Sequence, residues 1–224
     1  MNGEISNELE GIISQMLKPL KGLSLGIVIE GLSGFKAIPF DRTNEQDIEV
    51  LNKLKEIAEI VLNTVNENGI LRPRPNEVGN DIEPFVKNAL NIVNYYADTP
   101  KTANGKKKST GYPDIEFKDT FGRINYLECK TYNIENINTT QRSFYLSLSE
   151  DFKIIEDAHH FGISFEIFVK KSIKNKHLYN VKSWKILDLS KLKLDIKYEF
   201  NADNKRLYND SLILAEKEKH KSIN

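Results

Sequence analysis

Cysteine occurs once in 224 residues, at Cys129. That excludes an internal disulfide framework and a cysteine-based zinc set, and makes a reduced, cytoplasmic setting the expectation. Net charge is missing too, with 32 Lys plus Arg against 32 Asp plus Glu. A neutral total gives no support to a nucleic-acid partner, yet it permits one where basic residues are segregated onto one surface. No apolar run is long enough to span a bilayer, and Met1-Asn2-Gly3-Glu4 has no basic region ahead of an apolar one, so neither membrane insertion nor secretion is expected. There is no GxxxxGK phosphate loop, hence no sign of nucleotide-driven translocation, and there are no internal repeats. His159-His160 is the one close histidine pair in the sequence, expected to end a helix where imidazolium suits the dipole.

What is present is an ordinary balance of 39% hydrophobic and 29% charged residues, enough for a sizeable core. The pattern suggests one domain with an appended subdomain. Ile5, Leu9, Ile12, Ile13, Met16 and Leu17 fall at helical spacing over residues 4–18. Residues 25–40 read as a hairpin followed by a helix. Ile48, Leu51, Leu54, Ile57, Ala58, Val61 and Leu62 repeat the helical period, with Thr43 or Asn44 as cap and Asn68-Gly69 as stop. Arg72-Pro73-Arg74-Pro75 then breaks regular structure. The boundary is placed there, with residues 1–70 as a helix-hairpin-helix subdomain and 71–224 as the core. A third helix is expected from about Asp81 to Tyr96, with Pro84 in its first turn.

The chemistry is concentrated in two adjacent runs, Gly111-Tyr112-Pro113-Asp114-Ile115-Glu116-Phe117 and Tyr126-Leu127-Glu128-Cys129-Lys130-Thr131. Both read as strands, with Asp119-Thr120-Phe121-Gly122-Arg123 supplying turn residues for a hairpin between them. Alternation puts Glu128 and Lys130 on one side and Leu127 and Cys129 on the other, which reads as core. Asp114 opens the preceding strand, so two carboxylates and an ammonium converge. Such a group favours a hard cation such as Mg2+, with the lysine steadying a developing anion. A lone Glu-x-Lys is equally the solvated face of an antiparallel strand. The addition of Pro-Asp and a short turn makes the combination more specific.

Pro113-Asp114 followed by Glu128-Cys129-Lys130 resembles the signature of the PD-(D/E)XK nuclease superfamily, and the length suits a type II restriction endonuclease. The resemblance implies an α/β fold with a mixed sheet flanked by helices and Mg2+-dependent cleavage of double-stranded DNA by a homodimer, whose symmetry matches a palindromic duplex. It implies Asp114 and Glu128 as metal-binding carboxylates and Lys130 as the catalytic lysine. An acid from an upstream helix often joins the site. Glu83 is the matching position and Glu77 a second choice, while Glu116, one strand step past Asp114, is a third. Glu83 serves equally well as a first-turn acid stabilising a helix N-terminus. The order in residues 25–40 is loosely similar to EcoRV-like blunt cutters, and residues 1–70 are the expected dimer contact.

Lys101 and Lys106-Lys107-Lys108 lie in a Gly/Ser/Thr-rich stretch from Thr99 to Gly111, suited to phosphates or to plain solvation. Arg142 follows the second strand. Asn201, Asn204, Lys205 and Arg206 form a polar loop suited to base edges. Residues 149–160 read as a helix capped by Ser149, Phe161 to Lys170 and Val181 to Leu187 as strands, and Leu192 to Phe200 as a last strand-like segment. Two other functions compete: a repair or junction-resolving nuclease on the same fold, and a non-catalytic DNA-binding module in which the carboxylates are a strand face.

Overall fold

The computed structural model describes residues 10–15, 18, 20–133, 144–146, 151–196, 204–207 and 210–212. By contacts the chain divides into Gly22–Leu194, which carries the sheet, and a second unit drawn from the two termini. In the second unit residues 10–15 are helical, Asn204–Leu207 forms a helical turn rather than the expected loop, and the Ile196 amide donates to the Leu20 carbonyl at 2.8 Å.

The larger unit begins with β1 (Leu23–Ser24) and α1 (Leu25–Ser33). Here the expected hairpin is absent. Ser24 Oγ accepts from the Ile27 amide and Gly34, at φ 78°, ends the helix, so local capping and burial of Leu25 and Ile29 at i, i+4 override the β-branched run. After β2 (Ala37–Ile38) comes α2 (Glu45–Asn68), where the helical reading and both ends are borne out. Asn44 Oδ1 accepts from the Gln46 and Asp47 amides, and Gly69, at φ 70°, donates to the Val65 carbonyl at 2.7 Å.

A short strand, β3 (Ile70–Arg72), leads to α3 (Pro75–Ile92). This helix starts six residues earlier than expected. Pro75, not Pro84, takes the first turn, where a missing donor is harmless, and Pro84 lies inside the helix and leaves the Asn80 carbonyl without its usual donor. Burial of Val78 and Ile82 against the sheet outweighs that defect.

The remaining strands are β4 (Tyr96–Asp98), β5 (Ile115–Lys118), β6 (Ile124–Tyr132), β7 (Ala158–Ile173), β8 (Lys176–Asp188) and β9 (Lys193–Leu194). The main sheet has the order β3-β8-β7-β6-β5-β4, with β2 also pairing β7. β6 and β7 are parallel and β5 and β6 antiparallel, so the sheet is mixed, as expected. β5 and β6 make the expected hairpin. Asp119 Oδ1 accepts from the Phe121 and Arg123 amides, its Oδ2 from Arg123 Nε at 2.8 Å, and Gly122 takes φ 82°.

The helix expected over 149–160 is absent from its described residues. Ala158, His159 and His160 are already strand β7, and 151–157 have no helix. Both faces of β7 are covered up to Ile167, so the stretch lacks the regular apolar-polar alternation of a half-exposed strand, and its polar residues His159, His160, Ser164 and Glu166 are buried with the rest. His159 Nδ1 lies 3.0 Å from the Ile38 carbonyl oxygen and His160 Nδ1 2.6 Å from Tyr112 Oη, so the pair belongs to the sheet interior. Beyond Leu194 the structure runs without strand to Ile196, and 197–200 lie outside the described residues, as do Arg142 and Asn201.

Two cores flank the sheet. Val50, Leu54, Val61, Ile82, Val86 and Leu90 from α2 and α3 meet Ile115, Phe117, Leu127, Cys129, Ile163 and Phe165 on one face. On the other, Leu25 and Ile29 of α1 meet Tyr112, Tyr126, Ile154 and Leu189. Each buried Ile or Leu contributes roughly 1.5–3 kcal/mol. This packing fixes the end of β6, where the second core gives out and a cavity opens.

Candidate active site

Register positions the side chains. Glu128 of β6 lies beside Gly162 of β7, which lies beside Leu187 of β8; two residues on, Lys130, Ser164 and Lys185 form the next row. Gly162 matters because a Cβ there would stand 3.3 Å from both Leu187 Cβ and Leu189 Cδ2. Its bare backbone leaves room above for the cavity, which has a volume of about 640 Å3 and is lined by Asp114, Glu128, Lys130, Glu83 and Lys185 among others.

Asp114, Glu128, Lys130 and Glu83 are therefore brought together. Asp114 Oδ2 accepts from the Cys129 amide at 2.8 Å, tying the start of β5 to β6. Lys130 Nζ lies 2.7 Å from Glu128 Oε1. Glu128 is only 4% exposed, and its other oxygen, Oε2, is buried with no hydrogen-bond partner. Cys129 points to the opposite face, into the core, as alternation requires.

The electrostatics follow from crowding. Burial, then the charge of Asp114, push the Glu128 carboxyl up to about 7, against the opposing pull of Lys130. Burial also raises Asp114, and Glu83 adds to the rise, while the Cys129 amide and Lys130 resist it. A buried acid beside a partly buried one resists ionising together with it, and a cation between them relieves that strain.

The other acids are placed differently. Glu83 projects from the middle of α3, within coulombic reach of Asp114, and pairs with Lys87 Nζ at 2.7 Å. Glu77 pairs with Arg74 at 3.2 Å and is absent from the cavity wall. Glu116 is half-buried, opposite Tyr126 and within reach of Glu156 and Lys101, also away from the cavity.

Of the basic residues expected near DNA, Lys107 pairs with Asp98 at 2.6 Å and Lys108 Nζ donates to the Asp151 carbonyl at 3.3 Å. Lys101 and Lys106 are exposed, and Lys101 bridges to Lys107 through the backbone. Lys205 and Arg206 are exposed in the terminal unit.

Two residues escaped the sequence reading. Lys185 Nζ sits 4.4 Å from the centre of the Tyr132 ring at the cavity wall. Lys153 is 2% exposed, and its Nζ donates to the carbonyls of Gly111 and Pro113, the residues leading into Asp114. Burial lowers its pKa, opposed by the nearby Asp114, Glu128 and Glu83. No local pattern marks either lysine; only the chain's return over the sheet puts them there.

Among the described residues, no three His, Cys, Asp or Glu are gathered closely enough to enclose an ion by themselves. Two carboxylates with one orphaned buried oxygen nevertheless fit a hard divalent ion that keeps water or phosphate oxygens in its other positions.

A sheet hairpin bringing Pro-Asp and Glu-x-Lys to one cavity defines a nuclease of the PD-(D/E)XK class. The comparisons narrow this further: the model of the type II restriction enzyme MjaV family matches residues 17–211, and the type II restriction enzyme MjaV of Methanocaldococcus jannaschii is 43% identical over 226 aligned positions, covering 94% of this chain and 96% of the relative. The chain belongs to this type II restriction enzyme family and is a DNA-cleaving endonuclease, of a class that works on double-stranded DNA with a divalent metal ion. No solved structure matches it. No helix among the described residues is long and apolar enough to cross a membrane.

Proposed function

We propose that the chain acts as a cytoplasmic homodimer that cuts both strands of a short palindromic site with Mg2+, using Asp114, Glu128, Lys130 and Glu83. The observation that supports this best is the pairing of an unpartnered buried Glu128 oxygen with Asp114 in one cavity, beside an ammonium at 2.7 Å. Asp114 and Glu128 hold the ion, and Glu83 adds negative charge from α3. When bound, Mg2+ supplies a Lewis acid for the scissile phosphate and lowers the pKa of the attacking water. Lys130 orients that water and offsets the negative charge that grows on the phosphorus oxygens, an effect strengthened where the cavity excludes solvent. The buried walls, Gly162 and Leu189 among them, restrict water around the reacting atoms.

Lys101, Lys106, Lys107, Lys108, Arg142, Asn201, Asn204, Lys205 and Arg206 are proposed DNA contacts, with Lys107 and Lys108 exchanging their present partners for phosphate. Residues 1–70 carry the dimer contact in this reading, and Ile27 and Ile48, left exposed on α1 and α2, supply apolar surface for it. A plasmid digest with Mg2+ tests the whole: discrete fragments with uniform ends are expected, and a smear or junction-only cutting would defeat the restriction reading. Lys130→Ala and Asp114→Asn should each abolish cutting. Cleavage that survives either change places the chemistry elsewhere.

A further inference from the structure

On its β7 side the β7–β8 hairpin runs past the last pair with β6, Tyr132 with Glu166, while β3 accompanies β8 as far as His177. β7 is buried up to Ile167 and exposed from Phe168 to Ile173, and exposure continues through the turn to Lys176. Between Ile167 and Val181 the chain carries Lys170, Lys171, Lys174, Lys176 and His177 and not one Asp or Glu. None of the four lysines has an ion-pair partner among the described residues, unlike Lys182 just below them, which pairs with Glu166 at 3.2 Å.

The tip is ordered rather than loose. Ser172 Oγ lies 2.9 Å from His177 Nδ1 across the two strands, and Ile173 pairs with Lys176. Lys174 takes φ 52°, a conformation that Gly or Asn would hold with less strain, yet a cation stands there. Phe168, Val169 and Ile173 add exposed apolar surface.

A simpler explanation is edge protection. Past Glu166, the last residue paired with β6, one side of β7 has no strand partner among the described residues, and lysines on such an edge prevent strand addition. That accounts for Lys170 and Lys171. It does not account for Lys174 in the turn, nor for Lys176 on β8, whose neighbouring His177 to Tyr179 are paired with β3.

Geometry connects the tip to the cavity. Ser164 stands in the row of Lys130, and Ile167 still lines the cavity wall. From Ser164 to Ile173 is nine residues of strand, with register breaks after Glu166 and at Lys170, at most about 30 Å at the usual rise, or about nine base pairs along a duplex. A two-stranded ribbon is also of a size that enters the major groove. We propose that the β7–β8 tip grips the phosphate backbone of duplex DNA about six to nine base pairs from the scissile bond, through Lys170, Lys171, Lys174 and Lys176. The contact deepens the nuclease reading and rests on cleavage taking place at the Glu128–Lys130 cavity.

The test compares wild type with the variant carrying Lys170→Ala, Lys171→Ala, Lys174→Ala and Lys176→Ala, all exposed positions whose change removes no core. Binding is measured by fluorescence anisotropy with Ca2+ on two duplexes centred on a cut site mapped from the plasmid digest, one of about 8 base pairs and one of about 40, lengths that fall short of and exceed the tip's reach. On the long duplex the variant should bind about tenfold more weakly or worse near physiological salt, with its log–log salt dependence shallower by about 0.9 for each lysine engaged. On the short duplex the two proteins should bind alike. Equal binding on the long duplex, or equal loss on both, overturns the proposal. Failure of the cavity assignment is read separately, from wild-type cleavage that persists after Asp114→Asn.

Discussion

The backbone amide of Cys129 donates to Oδ2 of Asp114 across 2.8 Å, so the residue between Glu128 and Lys130 holds the third charged group of the site in place. Asp114→Asn keeps an oxygen for that amide and removes the charge. The variant should fold with little change in thermal midpoint and lose cleavage by about 100-fold or more, the scale of several kcal/mol of transition-state stabilisation. Asp114→Ala should lose cleavage and, with the amide orphaned, about 1–3 kcal/mol of stability as well, read from urea unfolding.

Glu128 sets a pH dependence. Its folded pKa of about 7 lies above the ordinary 4.5, so the folded state holds this proton more tightly than the unfolded chain. The stability it contributes is fully present below about 4.5 and is lost as pH rises through about 7. In EDTA, Glu128→Gln should therefore match wild type near pH 4.5 and exceed it at pH 8 by up to ~3 kcal/mol, measured by paired unfolding curves. Millimolar Mg2+ or Ca2+ should raise the wild-type midpoint at pH 8 and narrow the gap, because the ion binds the folded state.

The upstream acid can be assigned by three single changes. Glu83→Gln should lower the cleavage rate about 10–100-fold, as loss of a group supporting a metal site does. Glu77→Gln and Glu116→Gln should leave it nearly unchanged, since neither side chain reaches the cavity. Initial rates on a linear fragment at saturating metal decide the matter.

Lys153→Met removes the donor that Gly111 and Pro113 share at a position only 2% exposed. The buried Pro113 carbonyl left without its donor should destabilise the protein by about 1–3 kcal/mol, measured by urea unfolding, while the more exposed Gly111 carbonyl can turn to water. Lys153→Arg should recover part of this.

Gly69→Ala places a side chain at φ 70° with its Cβ 2.6 Å from Leu178 Cδ1. Both the backbone and the contact oppose it, so a loss of about 1–3 kcal/mol is expected in thermal or urea unfolding, with cleavage below the transition unaffected.

Local signals were legible where the deciding interactions are local. Asn44 and Gly69 bound α2 because capping groups act within a few residues of the backbone they satisfy. The Asp119–Arg123 turn joins β5 and β6, and strict alternation along β6 separates Glu128 and Lys130 from Cys129. From these, the sequence by itself determined the hairpin, its three charged residues and the kind of chemistry they support. Other features depend on partners far along the chain. Leu25–Ser33 is a helix because its apolar stripe has a core to fill, against its β-branched composition. Ala158 to His160 are strand because β2 and β6 take their backbone groups. Lys153 meets the Gly111–Pro113 carbonyls from forty residues away, and Glu83 rather than Glu77 faces Asp114 because α3 begins at Pro75 and turns that face inward. Only the tertiary structure decided these, since burial and long-range hydrogen bonding act between segments whose meeting no local pattern encodes.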